Sequence, residues 1–381
     1  MNIALAHQYG QGSPKEHAAN ATLSTALMEL ALSHALLHDA RQAVALREVG
    51  KLSPELLERY IFQRVGVRDP SVLVGPAYGE DSAIIDMGDF VLVAHSNPIT
   101  EAVERIGWLA VHVACNDVAV RGARPRWLLP VILLPEGCSE RAIDEITAQI
   151  DEAAREVGAM VVGGHTERTP GLRRPVISMT ALGRAPRDRF VRTGGARPGD
   201  VILMTKGAAV EGTAILATDF AEELARAGVS ERTLEKARSF MAEISVVPEA
   251  LALAEVGVNS MHDPTEGGLL GGLAEIAYAS GRFLEIWEER VLIRPETRAM
   301  CNALAIDPLK LISSGCLLAT LPSERLGEAE GALAEVGVDW AIIGHVRDGP
   351  PGLLVHRADG RSERVGRFVE EELARLWAEL R

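Results

Sequence analysis

Asn116-Asp117-Val118-Ala119-Val120-Arg121-Gly122-Ala123-Arg124-Pro125 closes a long run of small and apolar residues that begins near Glu101. The run predicts a helix over Glu101 to Val120, buried on several faces because few polar residues interrupt it. An amide and a carboxylate stand near its inner end. Gly122 and Pro125 then turn the chain into a second apolar run, Leu128 to Leu134, which reads as a strand ended by Pro135.

The pattern continues outward in both directions. Upstream, Phe90 to Ala94 reads as a buried strand, and Ser53-Pro54-Glu55 opens a short helix with Ser as N-cap and Pro at the first helical position. Downstream come an amphipathic helix from Ser139 to Val157 and strands Met160 to Val162 and Val176 to Leu182. Arg184 to Asp200, rich in glycine and proline, is the best domain boundary. Beyond it lie strand Val201 to Thr205 and helices around Ala214 to Ala227, Glu231 to Ile244 and Leu269 to Ala279. Strand Cys316 to Leu321, helix Ser323 to Val336, strand Ala341 to Val346, a turn at Asp348 to Gly352 and a closing helix from Phe368 to Leu380 follow. Helices and strands alternate in both halves, an α/β (α+β) class without the regularity of a doubly wound sheet. Residues 1–50 read as an N-terminal extension, with Leu23, Leu27, Leu30, Leu37 and Val44 on one helical face and His34 and His38 four apart.

Composition bounds the function. The 381 residues suffice for two domains. A formal net charge of -14 disfavours nucleic acid, whose phosphates it repels. No apolar run reaches membrane-spanning length, and the first residues lack a secretory pattern. Cys115, Cys138, Cys301 and Cys316 have no metal-like spacing, which fits reduced, buried thiols of a cytoplasmic protein.

Five segments set acidic or amide side chains beside glycines at strand ends or helix starts: Gly79-Glu80-Asp81-Ser82-Ala83, His95-Ser96-Asn97-Pro98, Asn116-Asp117, Gly163-Gly164-His165-Thr166-Glu167 and His262-Asp263-Pro264-Thr265-Glu266-Gly267-Gly268. Magnesium takes oxygen ligands from a few carboxylates plus phosphates. Glycines allow close backbone approach, and a helix N-terminus favours phosphate. Asp263 or Thr265 could equally cap the helix that follows. Walker-type and dinucleotide-type glycine motifs are missing. Arg121 and Arg124 are candidates for phosphate or for the chain's own carboxylates. Lys206 is a strand-end lysine that would be exposed or touch phosphate, and His112 a packed histidine of the buried helix.

In this order the segments resemble the AIR synthase (PurM-like) superfamily, from about Gly50 to Val355. Gly79-Glu80-Asp81-Ser82-Ala83 is similar to its Gly-x-Asp-x-Ala segment. Asn116-Asp117 with Gly122-Ala123-Arg124-Pro125 resembles its Asn-Asp-x-x-x-x-Gly-Ala-x-Pro signature. Gly163 to Glu167 stands where the family has Gly-Gly-Asp-Thr, and Asp263 to Gly268 resembles Asp-x-Thr-x-Gly-Gly. Ser313-Ser314-Gly315 resembles a late Ser-x-Gly turn. Lys51-Leu52-Ser53 and Val74-Gly75-Pro76 look most like the HypE branch, the hydrogenase maturation factors.

The resemblance implies a two-domain fold, residues 51–185 and 197–355, followed by a C-terminal helix in 356–381, with the N-terminal sheet pairing across a homodimer. It implies ATP with Mg (or Mn), and transfer of the γ-phosphoryl group to a small or carrier-bound amide-like acceptor. By that resemblance Gly79, Asp81, Asn97, Asn116, Asp117, Gly163, Gly164, Thr166, Gly267 and Gly268 would bind the nucleotide. Asp81, Asp117, His165 and Glu167 would hold the metal, and Asp263 and Glu266 would be catalytic. The chain departs from the family at Asn97 and His165, each usually Asp; imidazole suits softer metals than magnesium. It also has no cysteine beyond Cys316, where HypE ends in a Cys-bearing tail, and none before Cys115, where a selenophosphate synthetase would need one. A nucleotide-sensing relative, or a scaffold in metalloenzyme assembly, is the alternative reading.

Overall fold

Ile106–Ala119 folds as a helix buried along its whole length, because it lies between a sheet and two further helices. The structure is a computed structural model that describes residues 51–100 and 105–379. The expected helix through Leu23 and Val44, with His34 and His38, and the start of the helix expected from Glu101 lie outside those residues. The described elements belong to one compact unit, Leu52–Arg381.

In chain order the first half holds helix α1 (Pro54–Tyr60), strands β1 (Val72–Val74), β2 (Ala83–Asp86) and β3 (Phe90–Ile99), and helix α2 (Ile106–Ala119). Strand β4 (Arg124–Leu134), helix α3 (Glu140–Val157) and strands β5 (Met160–Val161), β6 (His165–Arg168) and β7 (Val176–Pro186) complete it. The strands form a sheet in the order β1-β2-β3-β7-β4-β5, with β6 also paired to β4. Along β3, β7 and β4 one alternating set, including Val91, Val93, Met179, Ala181, Leu128 and Ile132, is buried beneath α2 and α3. The other set looks the opposite way.

The second half holds β8 (Val201–Thr205), helices α4 (Val210–Asp219), α5 (Ala221–Arg226), α6 (Glu231–Arg238) and α7 (Val247–Val256), and strand β9 (Ser260–His262). Then come α8 (Gly268–Ser280), β10 (Phe283–Trp287), α9 (Pro295–Leu304), β11 (Leu318–Leu321) and α10 (Leu326–Val336). The half ends with β12 (Trp340–Arg347), β13 (Gly352–His356), β14 (Ser362–Val365) and α11 (Glu372–Glu379). Its sheet runs β14-β13-β10-β12-β8-β11-β9. Leu269, Leu270 and Leu273 of α8 pack on Ile202, Met204, Leu284 and Ile286 of that sheet.

Most expected elements are present with shifted ends. The helix expected over Ala214 to Ala227 is two helices broken at Phe220, and Glu231 to Ile244 ends its α-helical part at Arg238. Short strands β1, β6, β9, β13 and β14 carry too few residues to show an alternation in the sequence. Cys115, Cys301 and Cys316 are free and buried, and burial pushes each thiol up to about 12. Cys138 is also free but only half-buried. No helix among the described residues is long and apolar enough to cross a membrane.

Asn116 joins the halves. Its side-chain amide donates to the carbonyl of Ile244 at 2.9 Å, and its oxygen accepts from the amide N–H of Val246 at 2.8 Å. Both backbone groups are buried, so losing the clamp leaves a donor and an acceptor unpaired. Asn116→Ala is expected to cost about 2–6 kcal/mol of stability in urea unfolding, from two orphaned groups at roughly 1–3 kcal/mol each. A loss under about 0.5 kcal/mol would show that the clamp does not hold the halves.

Candidate functional site

The site is built from the Gly79–Ala83 loop inward. Gly79 has φ +76, and a Cβ there would lie 3.0 Å from the carbonyl oxygen of Glu275 and 3.2 Å from the Cβ of Ala279. Glycine therefore lets the loop lie directly on α8. Glu80 turns inward and accepts from the backbone N–H groups of Thr193 and Gly194 at 3.3 and 3.2 Å, and from Arg192 at 3.2 Å. It fastens the chain that links the two sheets. Ser82 donates to the carbonyl of Asp117 at 2.9 Å, which ties the loop to α2.

Asp81 and Asp117 then come together with Asp263, which follows β9. Asp81 Oδ2 lies 3.2 Å from His262 Nδ1 and 3.9 Å from Arg121. Asp117 Oδ2 lies 3.2 Å from His95 Nε2 and accepts from Asn97 Nδ2 at 3.4 Å. Asp263 is 1% exposed, and neither of its carboxylate oxygens has a hydrogen-bond partner. Burial raises the carboxyl of Asp117; the His95 charge opposes that rise and the Asp81 charge adds to it. Burial, and then the charge of Asp117, push Asp263 well above the usual carboxylate range. The three carboxylates thus feel one another in a single buried place.

Arg121 and two histidines compensate them. Arg121 is fully buried, with its guanidinium 3.6 Å from Glu80 and 3.9 Å from Asp81. It serves the chain's own carboxylates rather than an external phosphate, one of the two roles open to it from sequence. His262 is held between Asp81 and Glu275, its Nε2 2.6 Å from Glu275 Oε2. Sequence reading placed His95 and His262 in the motif segments without giving them a role. Their signal was position alone, two residues before Asn97 and one before Asp263.

Other expected site residues stand apart. Asn116 is engaged by backbone on both sides of its amide, as described above. Val131 of β4 pairs with His165 and Leu133 with Glu167, so both side chains share the sheet face opposite α2. Asn97, Met179 and Pro130 lie in one row across β3, β7 and β4. Gly164 continues that row, where a Cβ would collide with the Pro130 carbonyl oxygen. The separation of β3 from β6 is therefore three strand spacings, about 14 Å. His165 and Glu167 pair with each other at 3.1 Å in solvent. Within one protomer the structure does not bring His165, Thr166, Glu167, Gly163 or Gly164 to the carboxylate cluster. The reason is strand order and alternation, neither of which a glycine-rich motif discloses.

Gly267 and Gly268, at φ +80 and +64, do begin α8, but the chain itself roofs that helix end. A Cβ at Gly268 would lie 2.7 Å from the carbonyl oxygens of Leu309 and Leu311, and one at Gly267 would lie 2.9 Å from that of Val369. Their glycine requirement is for this packing. Glu266 is exposed beside them. Lys206 is neither exposed nor at the site: its Nζ lies 2.7 Å from buried Glu249 and donates to the carbonyl of Glu243. His112 is packed, as expected, against Glu156 at 2.8 Å. A cleft of about 690 Å³ flanks α2 near Trp108, His112, Glu156 and Leu251 and contains none of the carboxylate cluster.

Among the described residues no three His, Cys, Asp or Glu side chains already form a metal cage. A cation carried on phosphates needs only one or two protein carboxylates. Buried carboxylate oxygens lacking donors, at Asp263, are hard ligands of the kind magnesium takes, so the cluster fits such an ion.

The family described as AIR synthase related protein matches with its N-terminal domain over residues 79–185 and its C-terminal domain over 197–356. The hydrogenase expression/formation protein HupE of Azotobacter chroococcum mcd 1 is 35% identical over 284 residues, 71% of this chain and 78% of that protein. The carbamoyl dehydratase HypE of Rhodobacter capsulatus is 29% identical over 354 residues, 89% of this chain and 99% of that protein. A crystal structure of the hydrogenase maturation protein HypE in complex with ATP superposes with a TM-score of 0.63 at 26% identity, covering 84% of this chain and 95% of that one.

Two measurements test the electrostatics. Burial works against a charged His262, but Asp81 and Glu275 raise it from 6.5 to about 10. Its stabilisation is therefore complete below pH 6.5 and lost as pH climbs towards about 10. Urea unfolding across that window is expected to show the slope, and His262→Gln to flatten it. Asp263 gives a slope of the same sign in a lower window, but as a destabilisation: its raised carboxyl makes the metal-free fold lose stability as pH rises above 3.8. Asp263→Asn should then raise the melting temperature at neutral pH, by about 2 °C or more. A lowered melting temperature would mean that the ionised carboxylate is needed by the fold.

Proposed function

The chain belongs to the AIR synthase related family, and from that premise we propose that it is an ATP-dependent enzyme of the HypE type. It transfers the γ-phosphoryl group to the oxygen of a small or carrier-bound carboxamide, turning that oxygen into a leaving group. One observation carries this reading: Asp81, Asp117 and Asp263, far apart in sequence, meet in one buried cluster. The relatives named carbamoyl dehydratase, and the ATP complex of a similar fold, support the same assignment.

Asp81 and Asp117 would hold a divalent cation, which when bound neutralises phosphate oxygens and the charge that develops on transfer. Arg121 fixes the loop that carries Asp81. Asn97, through its amide on Asp117, orients that carboxylate. Asp263, whose carboxyl burial raises well above the usual carboxylate range, is a stronger base than a solvated carboxylate and suited to take the acceptor's proton, with Glu266 exposed in the same loop. His165 and Glu167, on the opposite sheet face, have no part in these steps within one protomer.

The remaining expectations become proposals of the same kind. Domains are taken as 51–185 and 197–355, with 1–50 and 356–381 as appendages. A homodimer through the first sheet is supported by its second face, where Trp127, Leu129, Val131 and Leu182 are half-buried, and by exposed Met160, Val161 and Val162 beside β5. A cytoplasmic location is supported by the four free cysteines.

Asp117→Asn is expected to lower ATP turnover with a carboxamide acceptor about a hundredfold or more, since several kcal/mol of charge stabilisation would be lost. Equal turnover by the wild type and this variant would remove the proposed site.

A further inference from the structure

His95 is fixed in a way that decides which of its nitrogens is available. Its Nδ1 lies 2.6 Å from the carbonyl oxygen of Asp81. A carbonyl can only accept, so Nδ1 carries a proton and donates it. The other nitrogen, Nε2, is the one left to take a proton or a metal ion. That atom is buried without a hydrogen-bond partner and faces Asp117 Oδ2, itself an acceptor, at 3.2 Å. The two atoms need a positive partner between them, a proton in the empty site or a cation in the loaded one.

His262 differs, although it also touches the cluster. Both of its nitrogens face carboxylates, Asp81 and Glu275. Two carboxylates, one on each side, stabilise the doubly protonated ring and leave no lone pair for an ion, whereas His95 faces only one. His165 is exposed on the opposite face of the sheet. Of the histidines near the motif segments, His95 alone has one nitrogen held by a neutral backbone carbonyl while the other, buried, faces a carboxylate oxygen. A ring N–H held by a backbone carbonyl is also the usual support of a metal-binding histidine, because it sets the tautomer and aims the other nitrogen.

We propose that His95 Nε2 is a direct nitrogen ligand of the divalent cation that accompanies the nucleotide, sharing that ion with Asp117 Oδ2. The inference rests on the ATP-dependent reading given above. It places the imidazole ligand in β3, not at His165. It also sets the metal preference: magnesium takes oxygen donors, whereas first-row divalent ions accept imidazole as well. Asp263, with two partnerless oxygens in the same buried cluster, lies within electrostatic reach of that ion.

The test is pulsed electron paramagnetic resonance of the full chain with Mn²⁺ and the β,γ-methylene analogue of ATP. Nitrogen-14 modulation from a coordinated imidazole is expected in the wild type and in His165→Gln. It should vanish in His95→Gln and in His95→Asn, with Mn²⁺ binding weakened about tenfold or more and Mg²⁺ binding changed less. Thermal melting establishes that at least one of the two variants folds. Bound Mn²⁺ without nitrogen modulation in the wild type, or modulation that persists in a folded His95 variant, overturns this assignment and leaves the ATP reading standing. Failure of the wild type to bind the Mn²⁺–nucleotide complex at all overturns both.

Discussion

Asp81, Asp117 and Asp263 reach one buried place from three separate stretches of chain, and each needs a counter-charge that is buried as well. Two like charges 4 Å apart repel by about 4 kcal/mol at an effective dielectric of 20, before any cost of desolvation is added. The fold answers with Arg121, fully buried between Glu80 and Asp81, and with His95 and His262 against Asp117 and Asp81. The answer is incomplete, since Asp263 keeps two oxygens without a donor. Natural cores rarely tolerate such a group unless it serves a site, so the shortfall itself is a functional signal.

Holding that cluster requires the two halves to be fixed to each other, and polar side chains of both halves do this. Glu80 binds the linker at Thr193 and Gly194, and Asn116 binds the backbone at Ile244 and Val246. Lys206, in the left-handed region at φ +57, pairs with Glu249 and donates to the carbonyls of Glu243 and Ser245. The Glu243–Val247 segment is thereby gripped from α2 on one side and from the end of β8 on the other. Each of these contacts is a buried polar group with a specified partner, which gives register as well as attraction. The carboxylates can then sit at fixed separations without a metal cage built wholly from protein.

Much of the architecture was legible from the chain. Apolar runs such as Glu101 to Val120 and Phe90 to Ala94 declare themselves by composition, although the strand continues through His95 and Asn97 to Ile99, and the family resemblance follows from motif order. Asp81, Asn97 and Asp117 could be named in advance because their segments follow the order of the family's motifs. The destination of each motif was not legible. Gly164 is demanded by β4 and Gly268 by the 309–311 segment, and sequence cannot say which surface a glycine admits. His165 differs from its neighbour Thr166 by one step of strand alternation, which decides the face it occupies. Lys206 reads as a surface residue until its buried carboxylate partner, far along the chain, is known. Long-range electrostatic pairing is a property of the fold and leaves no local pattern.

The charge arrangement also explains why a nucleotide would reach this cluster only together with its cation. The carboxylates of Glu80, Asp81, Asp117, Asp263 and Glu275 face the guanidiniums of Arg121 and Arg192 and the imidazoles of His95 and His262. With every carboxylate ionised, those cations at most nearly balance them, and a bare triphosphate would add several negative charges to a low-dielectric region. Repulsion there is far stronger than in water. A divalent ion entering with the phosphates reverses that sign. It gives the open oxygens of Asp263 a positive partner and takes the place of the proton between His95 and Asp117. The same features that burden the metal-free fold thus prepare it for the loaded state, because the loss of stability and the capacity to bind arise from the same unpaired atoms.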